Sequence, residues 1–203
     1  MNKHHVNHWY KKLQLFSAWY FLIAAIICFA MALVALRDNN LTSVRLRADL
    51  LAVDKQNGDV NSALNKLRKY MYSHMNTDLS AGGTIRPPIQ LKYSYERLVS
   101  AEKDRVSKAN TKIYNDAQKE CERLFPVGLS GSGRIPCITD YVSKNGVSEQ
   151  PISDALYKFD FVSPSWSPDL AGWSIVFGVL FTILFTVRLS LQIWLKNYLS
   201  QHA

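Results

Sequence analysis

Two long apolar stretches bracket a polar middle. Neither Leu13–Leu36 nor Leu170–Val187 contains a charged residue. A helix rises about 1.5 Å per residue, and both stretches fall within the range of about 17–25 residues that crosses a hydrocarbon core of about 30 Å. A cleaved leader has an apolar region of only about 7–15 residues. The first stretch therefore reads as an uncleaved anchor.

The segment between them, residues 37–169, is patterned for helices. No Gly or Pro precedes Gly58. The first apolar helix is therefore expected to continue outward through Leu46, Leu50 and Val53, with Asp38-Asn39-Asn40 as its weakest point. Gly58 suits its end, and Asp59 suits the cap of the next helix. That helix carries Val60, Ala63, Leu64, Leu67, Tyr70 and Met71 at steps of three and four, which gives one apolar face. It is expected to end before Gly82-Gly83.

Pro88 fits the first turn of another helix. Ile89–Phe125 again lacks Gly and Pro, and one face is marked by Leu91, Tyr95, Leu98, Val106, Ala109, Ile113, Ala117, Cys121 and Leu124. Pro126 ends it. Val127–Pro136, with three glycines, predicts a loop. Thr139–Lys144 predicts a short helix, and Ser153–Lys158 a turn or two. The alternation in Tyr157–Val162 predicts a short extended segment.

The expected fold is mainly α. Two transmembrane helices, 13–36 and 170–190, flank an extracytoplasmic helical domain, 37–169. That domain is a helical hairpin plus one long helix, with a disulfide-closed irregular region. Residues 1–12 and 191–203 form the tails.

Charge sets the orientation. All 16 acidic residues lie between Asp38 and Asp169, whereas Lys3, Lys11 and Lys12 precede the first stretch and Arg188 and Lys196 follow the second. Basic tails free of acid belong in the cytoplasm, and long segments translocate largely regardless of charge. The expected arrangement is a two-pass protein of the plasma (inner) membrane with both termini cytoplasmic. Much of the formal net charge of +8 sits on the tails, where it suits anionic lipid headgroups. This removes the case for a nucleic-acid partner. Trp9, Tyr10, Trp166, Trp173, Trp194 and Tyr198 lie near the ends of the two stretches, where aromatic side chains favour the membrane interface.

Cys28 reads as a small apolar residue within the first span. Cys121 and Cys137 both fall in the outer segment, where an oxidising compartment would link them. There is no Cys-x-x-Cys and no histidine near the pair, which disfavours zinc.

The second stretch carries small residues at every fourth position: Ser174, Gly178, Thr182, Thr186 and Ser190. The first has Ala24, Cys28 and Ala32. Small residues mark helix interfaces in lipid, and the strict four-residue step predicts a crossed contact. The sequence leaves open whether this pairs the two spans, two copies of the chain, or another membrane protein.

Catalytic patterns are weak. His4, His5 and His8 have no acidic or thiol companion, which reads as a solvated tail rather than a metal site. Gly128–Arg134 lacks the Gly-Lys-Ser/Thr end and the flanking elements of a phosphate loop. His74, Asp78, Ser73 and Ser80 have neither elbow nor oxyanion donors. No catalytic, metal or cofactor site is expected. The expected function is a non-enzymatic subunit or scaffold in the lipid bilayer, whose outer domain binds another protein. The alternative is an extracytoplasmic sensor module signalling through a partner, since the short tails hold no output domain.

Overall fold

The computed structural model describes residues 17–79, 86–126 and 133–201. The elements run α1 (Ala18–Lys55), α2 (Val60–Ser73), β1 (Ile89–Gln90), α3 (Lys92–Leu124), α4 (Arg134–Asn145), a 3-10 turn (Asp154–Leu156), β2 (Lys158–Phe159) and α5 (Leu170–Gln201). The fold is mainly helical. α1 passes through Asp38-Asn39-Asn40 without a break. The chain divides into two compact units, one holding Met1–Leu50, Asn61–Ile85 and Asp160–Ala203, the other Leu51–Val60 and Arg86–Phe159.

In the first unit α1 and α5 pair antiparallel. Asn39 meets Asp169 at one end, Phe29 meets Gly178 midway, and Trp19 meets Phe185 at the other end, ring centroids 6.4 Å apart. The buried positions of α1 include Ala18, Ala25, Ala32, Ala35 and Asn39; those of α5 include Ala171, Ser174, Gly178, Arg188 and Leu195. With the half-buried Phe181 and Phe185, α5 from Ala171 to Arg188 steps by three and four alternately, the seven-residue repeat that keeps a seam on one side of a helix pair at a shallow crossing. The hairpin of α1 and α2 is also seen here. The Asn76 amide donates to the Leu36 carbonyl at 3.2 Å, and the Asp78 N–H donates to Asn40 Oδ1 at 3.1 Å. Asn76 takes a left-handed φ of 57° to make that turn.

α1 ends differently from the expectation. Asn57, not Gly58, takes the left-handed conformation, with φ 55°. The Gly58 N–H then reaches the Val53 carbonyl at 3.0 Å and the Asn57 N–H reaches Asp54, a Schellman close. Asparagine tolerates this backbone next best after glycine.

In the second unit α3 is a spine. Cys121 near its end is bonded to Cys137 in the first turn of α4, with Cα atoms 5.9 Å apart. The Asn110 amide clamps the Val147 backbone by accepting from its N–H at 2.8 Å and donating to its carbonyl at 2.9 Å. The chain then runs back along α3, where the Gln150 N–H donates to Glu102. β2 pairs antiparallel with β1, Ile89 opposite Phe159 and Gln90 opposite Lys158. The extended segment expected at 157–162 is thus short and partnered, and the residues before Leu91 are strand rather than helix. The expected loop at 127–136 gives way to α4 at Arg134, where Pro136 sits in the first turn and needs no N–H partner. The rest of that loop, 127–132, and Gly82-Gly83 lie outside the described residues.

The start of α3 lacks a side-chain cap of its own at Leu91. Asp54 supplies it from the last turn of α1. Its carboxylate accepts the Tyr93 N–H at 3.0 Å, the Ser94 N–H at 2.8 Å and the Ser94 hydroxyl at 2.6 Å, and pairs with Arg97 at 2.9 Å. An acid in the last turn opposes its own helix dipole. Here it is placed instead at the positive end of α3.

Candidate functional site

Three features of the structure bear on function. The first is the surface of the α1–α5 pair. Only 17% of the apolar window of α1 and 22% of that of α5 is buried. Trp19, Ile23, Ile27, Leu33, Val179 and Ile183 are among the large side chains left exposed. A core helix of a water-soluble protein would be mostly covered, and an apolar surface of this extent calls for a non-aqueous or protein neighbour. α1 and α5 are candidate membrane spans.

The second feature is a polar knot at one end of that pair. Asn39 is buried in the middle of α1 and must find partners there. Its amide donates to Asp169 Oδ2 at 2.7 Å and to the Met75 carbonyl at 3.3 Å. Asp169 caps α5 by accepting the Gly172 N–H at 2.8 Å. The Met75 N–H donates to the buried Ser167 hydroxyl at 2.9 Å. Burial would raise the Asp169 pKa. The Gly172 N–H, the Asn39 amide and Ser167 outweigh it and hold the carboxyl below its ordinary value. The knot thus joins α1, the turn after α2 and the start of α5. Beside it lies an open groove of about 490 Å³, lined mainly by Ala30, Met31, Val34 and Leu170, with Asp38 at its polar end.

The third feature is a cleft of about 370 Å³ in the second unit. Tyr95, Val99 and Glu102, successive turns of α3, form one wall, and the segment 149–152 forms the other. The Tyr95 ring lies against Tyr157, with centroids 4.6 Å apart. Glu102 is held by Arg105 through two bonds of 2.7 Å. These bonds, followed by the Gln150 N–H, lower its pKa to about 2.

The residues expected to form an interface are placed unevenly. Ser174, Gly178 and Ala32 are buried, Ala24 and Cys28 are half-buried, and Thr182, Thr186 and Ser190 are exposed. A four-residue step turns about 40° too far on each repeat, so the ridge leaves the seam after two steps. The Thr182 hydroxyl donates to the Gly178 carbonyl at 2.8 Å and the Thr186 hydroxyl to the Ile183 carbonyl at 2.9 Å. Both hydroxyls are satisfied within their own helix. His4, His5 and His8 lie outside the described residues. His74 stacks on Tyr70, centroids 4.0 Å apart, and its Nδ1 lies 2.9 Å from the Ser73 hydroxyl. Among the described residues no three of His, Cys, Asp and Glu are grouped to hold a metal ion.

Sequence reasoning missed Asp54, Asn39 and Gly172. An acid in a helix's last turn and an amide within a helix interior are the local oddities that mark the first two. Gly172 has no such signal. A Cβ there would collide with the Ser167 carbonyl and come within 3.0 Å of Trp166 Nε1. At Gly178 the nearest atoms to a Cβ would be the edge of the Phe29 ring, at 2.9 Å, and a ring can turn. Gly172→Ala is expected to cost about 1–3 kcal/mol, and Gly178→Ala less. Thermal unfolding in detergent checks the order. Gly178→Ile should destabilise more than Val179→Ile, since Val179 is 47% exposed.

No protein-family model, no curated protein and no solved structure matches the chain.

Proposed function

We propose that this chain is a two-pass protein of the plasma (inner) membrane, with both ends in the cytoplasm and residues 37–169 outside. Its outer helices bind another protein, and it serves as a non-enzymatic subunit or scaffold of a membrane assembly. The observation that carries this reading is the exposed apolar surface of paired α1 and α5. Lipid covers such a surface at no cost in water contact. The disulfide between Cys121 and Cys137 supports the outer placement, because such bonds persist in oxidising compartments. Thr182, Thr186 and Ser190, exposed beside the seam, leave a small-residue face on α5 for a further helix, from a second copy or a different membrane protein.

A cysteine-labelling series tests the topology. Reporters at Asn2 and His202 should be protected in intact cells, and one at Asn145 should react with a membrane-impermeant reagent. Labelling at either end from outside overturns the orientation. Cross-linking in native membranes, followed by isolation of the chain, tests the assembly. Recovery of the chain alone as a monomer counts against it.

A second reading, an extracytoplasmic sensor module that signals through a partner, is favoured by one observation: the cleft along α3.

A further inference from the structure

The cleft of the second unit has a definite chemistry. Its volume of about 370 Å³ lies within the range of small-molecule sites, which is about 300–1,000 Å³. One wall is aromatic: Tyr95 is 40% exposed and backed by Tyr157. Val99, Pro151 and Ile152 make the apolar remainder.

Two carboxylates line the space, and they are not equivalent. Both oxygens of Glu102 are taken by Arg105, and one of them also by the Gln150 N–H. Glu102 stays ionised at every physiological pH, but its charge is compensated. No hydrogen bond or ion pair among the described residues engages the Glu149 carboxylate. The cleft therefore presents one uncompensated negative charge beside an aromatic face.

That combination selects its ligand. An anion is repelled by Glu149, whose charge no neighbouring cation among the described residues offsets. A metal ion finds a single free carboxylate where it needs several ligands. A cation with an apolar body gains on both counts, because its charge faces the carboxylate and the ring's negative face while its carbon surface covers Val99 and Ile152. The same aromatic cluster already takes a cation, since Lys158 Nζ lies 5.2 Å from the Tyr157 centroid.

We propose that this cleft binds an organic ammonium ion, a small molecule carrying a quaternary or protonated amine on an apolar body. The assignment rests on the cleft and not on the membrane reading, so its failure leaves the topology untouched.

The test uses the full chain in detergent and two probes, choline and its uncharged carbon isostere dimethylbutanol. Saturation-transfer NMR reports binding of each. Choline should saturate in the millimolar range, and the isostere should bind about tenfold more weakly. Glu149→Gln should weaken choline about fivefold. Tyr95→Leu should weaken it about tenfold, and Tyr95→Phe should retain it. Glu149 is exposed, so the Gln variant keeps the fold; circular dichroism verifies this for each variant. Equal affinity for the two probes, unchanged choline binding in both Glu149→Gln and Tyr95→Leu, or no saturable choline binding by the folded chain overturns the proposal.

Discussion

Asp54→Ala is expected to destabilise the second unit by about 3–5 kcal/mol, the cost of breaking a buried, hydrogen-bonded ion pair from one side. The Asp54 side chain is 1% exposed and accepts from two backbone N–H groups, one hydroxyl and one guanidinium. Alanine leaves the N–H groups of Tyr93 and Ser94 without an acceptor at the start of α3, and no side chain of Leu91 replaces it. Asn is no rescue. Both carboxylate oxygens face donors, so the amide nitrogen would point at one of them. Ser94→Ala should cost only about 1 kcal/mol, because the carboxylate keeps its other partners. Arg97 is 38% exposed, so a smaller loss is expected from Arg97→Ala than from Asp54→Ala. Hydrogen exchange at the amides of Tyr93 and Ser94, read alongside thermal unfolding, separates local opening from global loss. Unchanged exchange at those two amides in Asp54→Ala would show that the carboxylate does not cap α3.

Removing the disulfide is expected to release α4. A link closing 16 positions contributes about 3 kcal/mol in the chain-entropy account. Apart from the link, α4 is held by partial packing along α3. It runs from Arg134 to Asn145 and contains no fully buried residue. A helix of that length is marginal alone in water. The Asn110 clamp on Val147 lies beyond its far end, and the ion pair of Arg134 with Glu122 at 3.2 Å, half-buried on the Arg134 side and exposed on the Glu122 side, adds about 1 kcal/mol. In the variant carrying both Cys121→Ala and Cys137→Ala, amide protection across 134–145 should fall toward that of an unstructured chain, while α3 keeps its own. Alanine at both positions avoids burying a lone polar group where Cys121 is fully enclosed. Reduction of the wild-type chain should reproduce the result. Full protection of α4 after either treatment would mean that packing, not the covalent link, holds it.

The features written locally in the chain were legible. Apolar length marks α1 and α5 as candidate spans, and the absence of Gly and Pro predicts that α1 runs on past its apolar part to Lys55. Steps of three and four mark α2 and α3, since a helical face is a property of near neighbours. Two cysteines in one polar segment predict their own pairing. The sensor or scaffold role is another matter, because no residue pattern specifies a partner.

What tertiary structure alone decided involves residues far apart in sequence or the close approach of two backbones. The small-residue ridge of α5 is periodic by itself, yet the seam with α1 follows a seven-residue repeat, because two packed helices must keep contact over many turns and a four-residue step drifts away. Ser174 and Gly178 stay in the seam and Thr182 leaves it for that reason. Gly172 is required by the carbonyl of Ser167, which only the fold brings there. Ile89 and Phe159 form a strand pair across a separation that no local period encodes. Asp54 is an unfavourable choice for the end of α1 and a favourable one for the beginning of α3. Read along the sequence it is one acid among many, and its role exists only where the two helix ends meet.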